Sequence, residues 1–171
     1  VRPSALGDVC RTVPVLASLR AAWPEASIDW VVQDDFVDAV SAHPALTEAI
    51  GFPRRAFSDW WKPHRAAAVR RWLGDLRRRE YDLVVDCQGL SRSGLMTRAT
   101  RARRRVGSRD ARELGWLGYT DRVRHADGCH AVDRMLDRVR AAGATPLDDM
   151  RLYARDDDAA LTQPGLTDFA E

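Results

Sequence analysis

Short β-branched and apolar runs alternate with helical stripes along this chain, and that rhythm leaves few folds open. Residues 27–32, 46–52, 81–86 and 103–107 read as strands, with Tyr81-Asp82-Leu83-Val84-Val85-Asp86 the clearest buried one. Helical spacing covers 9–22 (Val9, Val13, Leu16, Ala17, Leu19), about 36–42, 65–79 (Val69, Trp72, Leu73, Leu76), 95–101 and 128–142 (Val132, Leu136, Val139), where Gly143 is a stop. This alternation predicts an α/β fold, a mainly parallel sheet with helices on both faces. Pro14 falls inside the first stripe, and an interior proline costs about 3 kcal/mol, so that helix should start late or kink. Residues 53–63 read as a loop mixing cations with aromatics. Residues 108–119 read as a loop with a helical turn carrying Arg109 and Arg112, and the chain beyond Thr145-Pro146 as an acidic linker.

Two polar, Gly-containing turns stand where strands empty into helices. Arg2-Pro3-Ser4-Ala5-Leu6-Gly7-Asp8 leaves a strand end and delivers Asp8 to the first helical stripe, and Cys87-Gln88-Gly89-Leu90-Ser91 follows the 81–86 strand. Right-handed crossovers bring both turns to one sheet edge, where open α/β folds bind ligands. Asp8 is therefore a candidate working residue. It equally reads as an N-cap accepting from the orphan N–H groups of the first turn, and one residue can do both. Gly7 beside it would let a ligand approach the backbone closely.

Composition narrows the class. At 171 residues with 45% hydrophobic content, the chain holds one domain with a real core, and no apolar run approaches a bilayer span. No leader segment is evident, so cytoplasmic residence is expected. Both ends look cut, as in a fragment. The formal charge is +2 and Lys62 is the single lysine; the near balance of charges and the lack of a recognition motif argue against a nucleic-acid binder despite the Arg runs. Cys10, Cys87 and Cys129 have no metal-type spacing and read as reduced thiols.

An ordered set of motifs then brings a family into view: S-A-L-G-D at 4–8, T-V-P-V-L at 12–16, I-D-W-V-V at 28–32, F-P-R-R at 52–55, Y-D-L-V-V-D-C-Q-G-L at 81–90, R-R-V-G at 104–107, A-R-E at 111–113 and H-A-V-D-R at 130–134. With these residues the chain resembles the amino-terminal half of glycosyltransferase family 9, the lipopolysaccharide heptosyltransferases, and within it the heptosyltransferase I branch. The resemblance implies a Rossmann-like three-layer domain, one half of a two-domain GT-B enzyme. Residues 1–145 would hold the acceptor, and 146–171 would lead to a nucleotide-sugar-binding domain absent from this chain. The implied reaction is inverting transfer of a heptose from ADP-heptose to a Kdo residue of the lipid A inner core, without metal or other cofactor. Two alternatives stay open: an inactive fragment or acceptor-binding module, and a family 9 transferase using another nucleotide sugar.

The family's general base falls on Asp8. Arg54, Arg55, Arg112 and Arg134 match positions that would hold the acceptor's carboxylates and phosphates, for which guanidinium forks are suited. Ser4, Gly7, Gln88 and Gly89 would shape the sugar pocket. His130 matches a residue near the site, although a histidine at a helix start is also a common hydrogen-bonded packing residue. Phe57 and Ser58 depart from the pattern where relatives carry more cations. Phe57, Trp60 and Trp61 with Lys62 suit either lipid headgroups or an aromatic core. A peripheral place on the cytoplasmic face of the inner membrane is the implied location; oligomeric state is left open.

Overall fold

The computed structural model describes residues 1–58, 62–126 and 128–153, without the side chains of residues 55 and 56. Two parallel sheets form its centre. In the first, β1 (Asp29–Gln33) pairs with β2 (Glu48–Phe52) in a register running from Asp29 opposite Glu48 to Gln33 opposite Phe52. In the second, β3 (Leu83–Val85), β4 (Arg104–Ser108) and β5 (Asp121–Val123) follow one another, Leu83 opposite Arg104 and Val106 opposite Asp121.

The extended residues 1–3 join the two. Arg2 N–H donates to the Val31 carbonyl (3.1 Å) and Gln33 N–H to the Pro3 carbonyl (2.9 Å), while Cys87 N–H donates to the Val1 carbonyl (3.0 Å). The spatial order is therefore β2, β1, residues 1–3, β3, β4, β5. The chain steps outward to one side from residues 1–3, then returns and steps outward to the other. That reversal is a topological switch point, and its crevice opens at the carboxyl ends of the strands.

Both sheet faces are covered, as the apolar runs require. Trp30 and Val32 point to a cluster with Val9, Val13, Leu16 and Val40, the last on the short α3 (Asp38–Ser41), and the intervening Val31 points to the other face with Ile50, Phe52, Val69, Leu76 and Met96. The first face is covered by α2 (Val13–Ala22) and α7 (Ala131–Ala142), which close over Val85, Cys87 and Val106. The second is covered by α5 (Pro63–Arg78) and α6 (Ser91–Ala99). This is the sheet with helices on both faces that the alternation of strands and helices predicts, and the Rossmann-like three-layer arrangement that the family resemblance implies. No helix among the described residues is long and apolar enough to cross a membrane.

The helix at 9–22 is interrupted, as Pro14 requires. A five-residue α1 (Leu6–Cys10) ends at Arg11, and α2 starts with Pro14 in its first turn, where a missing N–H costs nothing. Other expectations need correction. The aromatic loop at 53–63 contains a short α4 (Arg54–Ser58), because Phe57 inserts edge-on between Phe52 (4.6 Å) and Trp72 (5.5 Å). Phe57 is thus a core residue and not a lipid contact, and Trp60 and Trp61 lie outside the described residues. The helical turn expected at Arg109 and Arg112 falls instead at Gly115–Gly118. It sits so close to α6 that a Cβ on Gly118 would lie 2.2 Å from the Gly94 carbonyl oxygen. Strand β5 has no counterpart among the expected elements. Residues 144–153 have no regular structure yet lie against the domain: Leu147 N–H donates to Ser18 Oγ (2.8 Å), and the Tyr153 ring stands edge-on to His43 at 4.7 Å.

Candidate active site at the switch point

Asp8 sits where residues 1–3 leave the sheet. Ala5, in extended conformation, is the N-cap of α1, and Asp8 N–H donates back to its carbonyl (3.0 Å). Asp8 is therefore inside the first helical turn and not at the cap, so the capping role is not its task. Its side chain is 38% exposed, and Arg2 Nη2 lies 2.5 Å from Oδ2 while Arg11 Nη1 lies 3.8 Å from Oδ1. Gly7 beside it is exposed, and a Cβ there would meet nothing within 4 Å. The open space beside the acid is real.

The second turn is built around a buried carboxylate. Asp86 Oδ1 accepts from Gln88 N–H (2.8 Å) and Gly89 N–H (3.2 Å), and Oδ2 accepts from the Tyr119 hydroxyl (2.6 Å). This pins a turn in which Gly89 adopts φ +76°, the left-handed region that glycine tolerates best. Ser4 N–H reaches Gln88 Oε1 at 3.4 Å, and Arg112 N–H donates to the Gly89 carbonyl at 2.9 Å. Ser4, Gly7, Asp8, Gln88, Gly89 and Arg112 thus share one edge.

Burial, and then the Asp86 charge, push the Tyr119 hydroxyl above the ordinary tyrosine range. An unfolded tyrosine ionises near pH 10 while the folded one stays protonated, so stability falls as pH rises beyond about 10. Tyr119→Phe should cost about 1–3 kcal/mol at pH 7 through the unpaired Asp86 oxygen. In thermal melts it should also flatten the alkaline decline, with Tyr81, likewise raised by burial and by Asp29, leaving a residual slope. Unchanged melting at pH 7 would contradict the pinning role.

The remaining predicted residues lie around this centre. Arg54 is exposed at the start of α4, directly after β2, and Arg92 of α6 extends its guanidinium over the Phe52 ring at 5.7 Å, so the ends of β2 and β3 face one edge. The side chain of Arg55 lies outside the described residues. His130 is the N-cap of α7, its Nδ1 accepting from Val132 N–H at 3.4 Å, and Arg134 is half-buried one turn on. Thr12 Oγ1 approaches Met135 Sδ at 3.2 Å, which sets the first turns of α7 beside the α1–α2 junction.

Among the described residues, the cations paired with Asp8 are Arg2 and Arg11, not Arg54, Arg112 or Arg134. Neither Arg2 nor Asp86 stood out in the sequence, because each also bonds to a residue far along the chain, Arg2 to the Cys87 carbonyl and Asp86 to the Tyr119 hydroxyl. A cavity of about 750 Å³ lies elsewhere, between the starts of β1 and β3, lined by Trp30, Leu76, Leu83 and Thr100. It contains none of the candidate residues.

This architecture has known counterparts. A family model described as Glycosyltransferase family 9 (heptosyltransferase) matches residues 69–165, more than half of the chain, and the protein belongs to that family. Lipopolysaccharide heptosyltransferase 1 of Pseudomonas aeruginosa is 38% identical over 138 residues, covering 78% of this chain and 39% of that protein. The enzyme of the same name from Escherichia coli strain K12 is 34% identical, with 78% and 43% covered. Among solved structures, E. coli heptosyltransferase WaaC with ADP-2-deoxy-2-fluoro heptose superposes with a TM-score of 0.74 at 31% identity, over 86% of this chain and 49% of that one. E. coli ADP-heptose lps heptosyltransferase II, at 20% identity and a TM-score of 0.67, shares the fold. The chain spans about two fifths of the length of the curated relatives it matches.

Proposed function

We propose that this chain is the acceptor-binding half of an inverting lipopolysaccharide heptosyltransferase, with Asp8 as its general base. The observation that carries the reading is a half-exposed carboxylate at the switch-point edge, beside an open glycine and a pinned polar turn, in a chain 38% identical to a heptosyltransferase 1. In the reaction, an acceptor hydroxyl oxygen attacks the anomeric carbon of the heptose as Asp8 removes its proton. The bond from that carbon to the diphosphate breaks on the opposite face, ADP departs with the electron pair, and the configuration inverts.

The acceptor assigned here is a Kdo residue on lipid A, and the donor is ADP-heptose. Arg54, Arg55, Arg112 and Arg134 hold the acceptor's anionic groups, while Ser4, Gly7, Gln88, Gly89 and His130 border the sugar. Residues beyond this chain hold the donor, and no metal takes part. The enzyme works at the cytoplasmic face of the inner membrane as a peripheral protein.

A second reading of the same edge is an acceptor-binding module without turnover. Incubating a full-length enzyme that contains this chain with ADP-heptose and Kdo-lipid A separates the two. The expected result is an acceptor heavier by one heptose, formed equally in the presence of a chelator. Binding without mass gain would favour the module, gain only with another nucleotide sugar would change the donor, and loss with chelator would contradict the metal-free reaction.

A further inference from the structure

Arg2 is fixed to three parts of the domain at once. Its backbone N–H donates to the Val31 carbonyl of β1 at 3.1 Å, its Nη1 donates to the Cys87 carbonyl at the end of β3, and its Nη2 lies 2.5 Å from Asp8 Oδ2. The Arg2 side chain is 13% exposed where that of Asp8 is 38% exposed. An exposed ion pair between two mobile side chains contributes little and fixes little. Here the cation is largely buried and held from two sides, so it constrains the carboxylate.

We propose that Arg2 is the positioning residue of the general base. This rests on the reading of Asp8 given under Proposed function. The planar fork spends one nitrogen on the Cys87 carbonyl and another on Oδ2, which sets the χ angles of Asp8. Among the described residues Oδ1 has only the exposed Arg11, 3.8 Å away, and is the oxygen left to take the acceptor's proton. A base must stand within about 2.6–3.2 Å of the hydroxyl it deprotonates, and a misplacement of about 1 Å can cost roughly 100-fold in rate. A five-residue helix with an exposed acid supplies no such precision by itself; the clamp from the sheet does.

The test uses the full-length enzyme containing this chain, with Arg2→Gln, Arg2→Lys, Asp8→Asn and the Arg2→Gln/Asp8→Asn pair. Arg2→Gln should lower kcat about 100-fold while the acceptor KM stays within about 3-fold. Arg2→Lys keeps a charge but not the fork, and should sit about 10-fold below wild type in kcat at constant KM. The double variant should be no slower than Asp8→Asn alone, because both changes act through one group. If Arg2→Gln does not fold, the Arg2→Lys result decides.

Wild-type kcat in Arg2→Lys, or a loss confined to KM, would overturn the positioning role, as would multiplicative losses in the double variant. Should Asp8→Asn turn over normally, the base reading itself fails. Should Asp8→Asn be inactive while Arg2→Gln is fast, only the clamp fails.

Discussion

Asp8→Asn in the full-length enzyme should lower kcat by at least about 100-fold, and up to about 10,000-fold, the range that general-base catalysis contributes. The acceptor KM should stay within about 3-fold of wild type. The substitution conserves shape, and its amide oxygen can still accept from Arg2, but on the proposed reading it removes the group that takes the acceptor's proton. The fold should survive, since Ala5 is the cap of α1 and Asp8 is not. A loss confined to kcat marks an interaction made only in the transition state. Steady-state kinetics with ADP-heptose and Kdo-lipid A checks this, and a matching rise in KM would instead make Asp8 an acceptor contact.

The second large effect concerns the cations. Arg54 and Arg112 are exposed and follow the ends of β2 and β4, so both can meet an anionic acceptor over the switch point. Hydrogen bonds to charged groups contribute about 1.5–3 kcal/mol each. For independent sites these add, and Arg54→Ala with Arg112→Ala should weaken acceptor binding by roughly two to four orders of magnitude with kcat little changed. Arg103, exposed just before β4 at the opposite edge, is the control: Arg103→Ala should leave the acceptor KM unaltered. A comparable loss in the Arg103→Ala control would point to general charge and not to recognition.

The sequence made the layers legible where local preference and burial agree. Val31-Val32 and Leu83-Val84-Val85 are apolar because helices cover both sheet faces, and the stripe of Val69, Trp72, Leu73 and Leu76 repeats at helical spacing. Strand β5 was not legible: Asp121-Arg122-Val123 has little strand preference, and its place comes from pairing with Val106, Gly107 and Ser108. Short α4 was hidden for a similar reason, as Phe57 settles against Phe52 and Trp72 from elsewhere in the chain.

The site divides in the same way. Asp8 and the Gln88-Gly89 turn could be read from their position after strands. The buried Asp86 could not, since its meaning depends on Tyr119 thirty-three residues on. Arg2 looked like the end of a strand, and only the curl of residues 3–8 brings its guanidinium back to Asp8. His130 matched the family motif, and its described hydrogen bond is that of a helix cap.

The most direct test is a structure of the full-length Asp8→Asn enzyme with an unreactive ADP-heptose analogue and the Kdo acceptor both bound. A Kdo hydroxyl oxygen should lie within about 2.6–3.2 Å of the residue 8 side chain, in line with the anomeric carbon and opposite the diphosphate. An acceptor seated with every hydroxyl out of reach of residue 8, or on the far side of the sheet, would contradict the account.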